Sequence, residues 1–227
     1  IIFTSGGTES NNLAIKGIAF ANEHRGKHII TTAIEHPAVT EVCKYLESKG
    51  FSITYIPVDG TGLVDPALVE EAIKTSTILI SVMHANNEIG TIQPVEEIAR
   101  IARRYNIPFH TDAAQSAGRV AIDVRKSGID LRSVAGHKLY APKGIGALYV
   151  REGIILEKLI HGADHEQNRR AGTENVPEIC GLGKACEIAF REMSKNITHF
   201  RKVRDLLHDQ LLNKLPEIRL NGHRDLR

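Results

Sequence analysis

Runs of four to six residues rich in isoleucine, valine and threonine alternate along this chain with longer segments whose apolar residues recur at helical spacing. This alternation is typical of βαβ units packed around a mostly parallel sheet. It predicts strands at residues 1–4, 28–32, 52–57, 78–83, 108–112, 131–135 and 145–150. It predicts helices at residues 8–23, 38–48, 66–74, 95–105 and about 177–215. The expected fold class is therefore α/β, with a mostly parallel seven-stranded sheet flanked by helices.

Composition and charge narrow the kind of protein that such a sheet can belong to. The chain has 227 residues, of which 42% are hydrophobic and 25% charged, as in an ordinary globular protein. The formal net charge of +2 comes from acids and bases scattered along the chain, without the basic stripe of a nucleic-acid binder. No apolar run reaches the ~18 to 20 residues of a membrane span. We therefore expect a soluble protein that binds small metabolites and neither nucleic acid nor membrane.

The cysteines indicate a reducing compartment. Cys43, Cys180 and Cys186 are odd in number and lack Cys-x-x-Cys spacing, which argues against a disulfide scaffold and against a zinc site. We expect a cytoplasmic protein without a metal, or one of the mitochondrial matrix if the source is eukaryotic. Cys186 falls in a helical pattern, and we expect it in the core because free cysteines are often buried.

The end of the chain predicts a second domain. Apolar residues recur at helical spacing through residues 187–209, which predicts a packed amphipathic helix that can also connect two domains. We expect Pro216 to end this helix and residues 218–222 to form the first strand of a small domain. The chain starts inside a strand pattern and stops without a cap. We therefore expect a large domain truncated at its N-terminus, residues 1–190, and a small domain truncated at its C-terminus, residues 191–227.

A lysine and an aspartate at two strand ends suggest a specific cofactor. Lys138 follows the strand pattern of residues 131–135, and Asp112 ends an earlier one. Pyridoxal phosphate needs an amine to hold its aldehyde and a carboxylate to keep its pyridine nitrogen protonated. A lone lysine is usually a solvated surface charge, and Asp112 can instead cap the next helix. Gln115, one helical turn further on, can reach the same ligand.

The segment Ser5-Gly-Gly-Thr-Glu-Ser-Asn-Asn12 follows the first strand and opens the first helix. Its backbone N–H groups and the Thr8 hydroxyl converge where the helix dipole favours an anion, which predicts a phosphate cradle. It is neither a Walker A loop nor a GxGxxG loop. A turn with an N-cap and no ligand would use the same residues.

Two further strand ends carry polar side chains. His36 follows the second strand, where an imidazole is commonly a hydrogen-bonded surface group but can also stack on a flat cofactor. Asn87 follows the fourth strand and can donate to a phenolate oxygen or a carboxylate. Packing does not require that four strand ends all carry residues able to bind a ligand. The coincidence therefore favours a binding site at this edge of the sheet.

Taken together, these segments closely resemble the NifS-like cysteine desulfurase family, a branch of the fold type I pyridoxal phosphate enzymes that also includes selenocysteine lyase. The resemblance rests, in order, on residues 4–12, 35–36, 84–90, 110–115, 136–140 and 170–175. It implies the large domain of a class V aminotransferase-like enzyme and the start of a small α+β domain. The implied activity converts L-cysteine to L-alanine and delivers the sulfur as a persulfide for iron–sulfur cluster or thio-cofactor assembly.

The resemblance assigns roles around the cofactor ring. It implies that Lys138 holds the aldehyde and later moves protons at the substrate α and β carbons. It implies that His36 stacks on the ring and takes part in acid–base steps, while Asp112 pairs with the pyridine nitrogen. Gln115 and Asn87 match residues near the ring hydroxyl oxygen and the substrate.

The resemblance also assigns the phosphate end of the cofactor. Gly7, Thr8 and His137 match phosphate-binding positions. Thr173 matches a threonine that reaches the phosphate from the partner subunit, which implies a homodimer with shared active sites. Ala135 departs from the pattern, because many desulfurases carry Ser or Thr there, whereas selenocysteine lyases tolerate an apolar residue.

The resemblance also implies parts of the site that this chain does not carry. The nucleophilic cysteine and the arginine for the substrate carboxylate are expected beyond Arg227, so the chain alone should hold the cofactor half of the site and be inactive. The implied partners are L-cysteine or selenocysteine, a second subunit and a sulfur-acceptor protein such as an iron–sulfur scaffold. Two alternatives stay open: a selenocysteine lyase, and a non-catalytic scaffold that keeps the fold and uses no cofactor.

Overall fold

A computed structural model describes residues 1–215 and 217–227, and within them seven strands form one sheet. The strands are β1 (Ile2–Thr4), β2 (His28–Thr32), β3 (Ser52–Ile56), β4 (Thr77–Ser81), β5 (Phe109–Asp112), β6 (Leu131–Ala135) and β7 (Gly146–Val150). Their order across the sheet is β1-β7-β6-β5-β4-β2-β3. The pairs from β6 to β3 are parallel, and β7 runs antiparallel to both β6 and β1. The predicted mostly parallel sheet of seven strands is confirmed.

The helices that the sequence predicts all form. They are α1 (Gly7–Ala21), α2 (Pro37–Glu47), α3 (Pro66–Glu71), α4 (Val95–Arg104) and α7 (Val176–Lys214). Two short helices, α5 (Val124–Ser127) and α6 (His165–Asn168), and a 3₁₀ turn at Gly136–Leu139 were not predicted. Elements of about one turn leave too few residues for a helical period to be read.

The helices cover both faces of the sheet, which explains why its central strands are buried throughout. All five residues of β2 and all five of β4 are buried. Leu13, Ile29 and Leu79 belong to the apolar core under α1 and α2. Ile80 and Phe109 belong to the core on the opposite face, under α3 and α4. A sheet covered on both faces leaves its strand ends as the place for polar side chains.

The prediction that residues 187–209 are packed in the core is wrong. Only the first turns of α7 rest on the sheet, where Leu182 is 3% exposed. Further along, Phe200 is 52% and Leu207 59% exposed, because the helix continues past the sheet. Cys186 is exposed as well, contrary to expectation, although it lies one helical turn after Leu182. The helical period was read correctly, but a period does not say what covers the apolar face.

Residues 218–222 form no strand, which corrects a second expectation. The segment that follows them docks instead on the loop after β4: the His223 N–H donates to Thr91 Oγ1 (3.0 Å), and the Ile92 N–H donates to the Leu226 carbonyl (2.8 Å). A strand needs a neighbouring strand edge for its backbone groups, and this segment bonds to a loop. Pro216, the predicted helix end, lies outside the described residues. The division into domains at residue 190 stays a prediction.

No helix in the described part of the chain combines the length and the apolar character needed to cross a lipid bilayer.

Candidate active site

Eight of the nine residues predicted for the site line one cleft of about 210 Å³ at the carboxyl ends of the strands. They are Gly7, Thr8, His36, Asn87, Asp112, Gln115, His137 and Lys138. The residues come from the first turn of α1, the segments after β2 and β4, the end of β5 and the 3₁₀ turn after β6. They meet because parallel strands bring their carboxyl ends to the same edge of a sheet. The ninth residue, Thr173, is exposed in the segment between α6 and α7 and lies outside this cleft.

Asp112 is the buried carboxylate of the cleft, with 5% of its surface exposed. Its Oδ2 accepts a hydrogen bond from Asn11 Nδ2 (2.7 Å), and its Oδ1 accepts one from the Ala114 N–H (2.9 Å). Burial raises the pKa of Asp112 above its ordinary value, although both hydrogen bonds and the nearby His36 oppose the rise. A buried carboxylate of this kind is stabilised by a cation placed beside it.

Asp112 does cap the turn that follows it, through the bond to Ala114, yet that turn does not become a helix. The sequence left open whether Asp112 caps the next turn or serves a ligand, and the two roles are not exclusive. One carboxylate oxygen holds the local turn while the side chain still lines the cleft.

His36 is the N-cap of α2 and lies at the mouth of the cleft. Its Nδ1 accepts a hydrogen bond from the Ala38 N–H (3.0 Å). A ring nitrogen that accepts carries no proton, so this bond assigns the proton of the neutral imidazole to Nε2. The exposed ring is thereby held in one orientation with one nitrogen available to a ligand.

Lys138 projects from the 3₁₀ turn Gly136–Leu139 and is half-buried against the cleft. The turn packs closely against the residue before β7. A Cβ on Gly136 would lie 2.6 Å from the Ile145 carbonyl oxygen, so the position requires glycine. Arg119 holds the turn from the other side by donating from Nη2 to the Lys138 carbonyl (3.0 Å). The backbone that carries the amine is therefore fixed on both sides.

The first turn of α1 has the features of an anion site. Its N-cap is Gly6, and no side chain caps the helix, so the first N–H groups remain free to bind a ligand. Gly7 lets the turn approach the sheet, since a Cβ on Gly7 would lie 3.0 Å from the Cβ of Ala135. Thr8 and His137 are exposed and border the same end of the cleft.

Gln115 and Asn87 also line the cleft. Gln115 Oε1 accepts from Arg119 Nη1 (3.2 Å), which leaves the side-chain N–H groups of Gln115 free to face the cleft. The exposed Asn87 donates from Nδ2 to Glu88 Oε1 (2.9 Å). Both are groups that can contact a polar atom on a ligand.

Three residues that organise the site were missed from sequence. Asn11 binds Asp112, Arg119 binds both Gln115 and the Lys138 carbonyl, and Glu35 joins β2 to the segment after β4. Asn11 follows Gly7 by four residues on one helix, so helical spacing could have placed it at the cradle. The bond of Arg119 to the Lys138 carbonyl and the bond of Glu35 to the Met83 N–H join distant segments, and sequence spacing carries no signal for them.

Thr173 is tied to the cleft indirectly. Arg170 donates from Nε to Glu9 Oε1 (2.9 Å), and the Ser5 N–H donates to Glu9 Oε2 (2.7 Å). Although burial works against it, hydrogen bonds from Arg170 and Ser5 lower the pKa of Glu9, which keeps this carboxylate charged. The segment that carries Thr173 is thereby anchored to the first turn of α1.

The donor set fits pyridoxal phosphate. A buried carboxylate with a raised pKa suits a protonated pyridine nitrogen, an uncapped helix N-terminus suits a phosphate, and the Lys138 amine lines the same cleft. Asn11 Oδ1, buried in the cleft wall without a partner among the described residues, marks a polar position that the protein alone does not satisfy.

The doubly wound sheet with this cleft at its carboxyl edge has the architecture of the fold type I pyridoxal phosphate enzymes, as in the NifS-like structures described below. The chain belongs to the aminotransferase class-V family, whose description matches residues 1–227. That family implies pyridoxal phosphate in general.

Individual relatives are similar over most or all of the chain. The cysteine desulfurase IscS of Dictyoglomus turgidum (strain DSM 6724 / Z-1310) is 54% identical over 227 residues, which are 100% of this chain and 58% of that protein. A solved structure described as SspA in complex with cysteine is 51% identical, with a TM-score of 0.80, over 82% of this chain and 54% of that one. A structure of a NifS-like protein is 44% identical, with a TM-score of 0.90, over 93% and 58%. The chain thus spans less than two thirds of the length of each.

Proposed function

We propose that the protein to which this chain belongs is a pyridoxal phosphate-dependent cysteine desulfurase, which converts L-cysteine to L-alanine and passes the sulfur on as a persulfide. The observation that carries the proposal is the convergence of Lys138, Asp112 and His36 with the uncapped first turn of α1 in one cleft. The name of the Dictyoglomus relative and the cysteine in the SspA structure support the choice of substrate.

Pyridoxal phosphate, when bound, supplies an aldehyde that reacts with amines and a ring that accepts electrons. Asp112 would hold a proton on the ring nitrogen, since a cation there relieves the cost of burying this carboxylate. Lys138 Nζ would hold the cofactor and, once displaced by the substrate amine, remove the α proton. His36, fixed by Ala38, would cover the ring and present Nε2 to the reacting atoms.

The remaining contacts orient the cofactor. The free N–H groups at Gly7 and Thr8, the Thr8 hydroxyl and His137 would bind the phosphate. Gln115 would donate its free amide hydrogens to the ring hydroxyl oxygen, and Asn87 would lie near the substrate.

We further propose a homodimer in which Thr173 of each subunit reaches the phosphate of the other. This is supported by the position of Thr173, which is exposed and lies outside the cleft of its own subunit. The proposed sulfur acceptor is a scaffold protein of iron–sulfur or thio-cofactor assembly, and the proposed compartment is the cytoplasm. Residues 1–190 would be the cofactor-binding domain, and residues 191–227 the start of the second domain.

Ala135 favours a second candidate, selenocysteine lyase. Its methyl group contributes no hydroxyl to the phosphate end of the cleft, and the selenium enzymes tolerate an apolar residue at this place. Turnover of selenocysteine and of cysteine under the same conditions separates the two. A ratio that favours selenocysteine by more than about 1,000-fold, beyond the roughly 10- to 200-fold that a pocket gains from a small difference in substrate size, would replace the first assignment.

Alanine production from L-cysteine tests the proposal directly. We expect turnover by the protein supplied with pyridoxal phosphate, and a loss of at least about 1,000-fold in Lys138→Ala, because both cofactor attachment and proton removal use this amine. Lys143→Ala, an exposed lysine in the same loop, is the matched control and should keep its activity. A Lys138→Ala protein as active as Lys143→Ala would refute the proposal. Absence of both turnover and cofactor uptake in the wild type would favour the non-catalytic scaffold.

A further inference from the structure

Glu35 is a buried carboxyl group beside the cleft to which the proposed reaction gives no role. It is 8% exposed and lies between the ends of β2 and β4, next in sequence to His36. Its Oε1 accepts two hydrogen bonds, from the Met83 N–H (2.8 Å) and from Thr32 Oγ1 (2.8 Å). Its Oε2 is buried and has no hydrogen-bond partner among the described residues.

The two bonds join segments that both line the site. Met83 borders the cleft and begins the segment that leads to Asn87. A third bond runs in parallel, from Asn86 Nδ2 to the Ile34 carbonyl (2.9 Å). The segment before His36 and the segment before Asn87 are therefore fixed to each other mainly through Glu35 and Asn86.

The surroundings of Glu35 disfavour a negative charge. Burial, opposed by the bonds from Met83 and Thr32 and helped by the nearby charge of Asp112, raises the pKa of Glu35 to about 8. Cys43, on α2, is the other titratable group that faces it, and burial together with Glu35 raises the pKa of that thiol to about 12. Neither neighbour supplies a positive charge. Asp112 differs because it borders the cleft, where a cationic ligand can reach it.

We propose that Glu35 is a positioning residue, whose uncharged carboxyl group ties the His36 segment to the Met83 segment and leaves the negative charge of the site on Asp112. Two carboxylates this close in a buried place do not both ionise readily. The proton then stays on Glu35, which has no access to the cleft, and the negative charge stays on Asp112, which lines the cleft. The effect on the cofactor rests on the proposed function, whereas the tie between the strands does not.

The first test measures the unfolding temperature of cofactor-free protein against pH. Folded Glu35 retains a proton that the unfolded chain releases above its ordinary value of 4.5, so its stabilisation is complete below that pH and is lost as the pH rises through about 8. Glu35→Gln keeps an acceptor oxygen but has no proton to lose. We expect the unfolding temperature of Glu35→Gln, minus that of the wild type, to grow steadily from about pH 5 to about pH 8.5. A difference that stays constant or shrinks would overturn the proposal.

The second test measures affinity for pyridoxal phosphate by absorbance titration. Glu35→Gln should bind within about threefold of the wild type, and Glu35→Ala at least about tenfold more weakly, because the latter loses both hydrogen bonds. If Glu35→Ala does not fold, Glu35→Asp, one methylene shorter, replaces it with the same expectation. Asp130→Asn is the matched control: Asp130 is also buried and accepts a backbone N–H, from Phe109 (2.8 Å), but at the opposite edge of the sheet.

The outcomes separate the two proposals. If Glu35→Ala or its Asp substitute binds as tightly as Glu35→Gln, Glu35 does not position the site. If Glu35→Gln binds as weakly as Glu35→Ala, the site needs a charged carboxylate, which contradicts the proposal. If the wild type takes up no pyridoxal phosphate, the proposed function fails, and the pH dependence of unfolding still decides whether Glu35 is protonated in the folded state.

Discussion

Asp112 and Glu35 show how two carboxyl groups near one another acquire different properties from their contacts. Both accept two hydrogen bonds and both have raised pKa values. Asp112 lines the cleft, so a bound cation can stabilise its charge, whereas Glu35 is enclosed. The position of a carboxyl group relative to the cleft, more than its type, therefore decides what it can do.

The charge of Asp112 can be tested separately from its hydrogen bonds. In Asp112→Asn the side-chain oxygen can still accept from the Ala114 N–H, but the charge for the ring nitrogen is lost. We expect pyridoxal phosphate to bind still, while exchange of the substrate α proton with deuterium slows at least about tenfold, measured by NMR.

A matched control exists for this substitution. Asp123 makes the same bond to the N–H two residues on, from Arg125 (2.9 Å), but on the exposed surface. Asp123→Asn should exchange the α proton at the wild-type rate. Exchange in Asp112→Asn as fast as in Asp123→Asn would show that the charge at position 112 is not used.

For individual residues, the predictions of the site from the sequence followed from one rule. Lys138, Asp112, His36 and Asn87 each follow a predicted strand, and strand ends of a parallel sheet meet, so their convergence could be expected. Glu35 also follows a strand and was not singled out. Its role depends on β4 lying beside β2, and the order of the strands cannot be read from the residues themselves.

Among the elements, α7 shows the limit of reading a helical period. The helix spans Val176–Lys214, close to the predicted bounds, yet its apolar residues beyond the first turns are exposed. Periodicity reports which residues share a face, while burial depends on a neighbour that the sequence does not identify.

Two leucines of α7 allow the buried and the exposed part of the helix to be compared. Leu182 is 3% exposed and packs on the sheet, and Leu207 is 59% exposed. For the 227-residue chain, we expect Leu182→Ala to lower the free energy of unfolding by about 2–5 kcal/mol and Leu207→Ala to change it by less than about 0.5 kcal/mol. Denaturant titration of both variants gives the comparison. Equal losses would mean that the distal part of α7 is packed after all.

For the molecule as a whole, the sequence predicted the parallel part of the sheet but not the place of its outer strand β1. Alternating strand and helix patterns suffice for a mostly parallel sheet, because helical crossovers return the chain in the same direction. The antiparallel pairing of β7 with β6 agrees with their short connection, which contains only the 3₁₀ turn and a loop, whereas nothing in the sequence indicates that β1 pairs with β7. The exposed segment of Thr173 is a related case, because its proposed role depends on a second subunit.

The buried histidines predict how the stability of the whole fold depends on pH. Burial lowers the pKa of His28 and of His84 to about 4, and that of His110 to about 3, from the ordinary value of 6.5. The unfolded chain therefore takes up protons first as the pH falls, so stability is lost progressively below about pH 6.5. Glu35 and Asp112 act in the opposite direction, because burial raises their pKa values above the ordinary 4.5 and 3.8, but they are two groups against three.

The expected profile has a maximum of the unfolding temperature near pH 6.5, with a steep fall on the acid side and a shallow fall up to about pH 8. Scanning calorimetry of the cofactor-free protein across this range measures it. His110→Gln, which can still bond to Ser81 and Ser133, should reduce the loss on the acid side. An unchanged acid limb in that variant would contradict the assignment of His110 as a buried neutral group.

The proposed function requires that Lys138 holds the cofactor in a cleft with Asp112. Reduction of the pyridoxal phosphate-loaded protein with borohydride, followed by peptide mapping by mass spectrometry, measures this attachment. We expect a stable phosphopyridoxyl group on the peptide that contains Lys138 and none on Lys143. A label on a different lysine, or bound cofactor that borohydride does not attach to the chain, would contradict it.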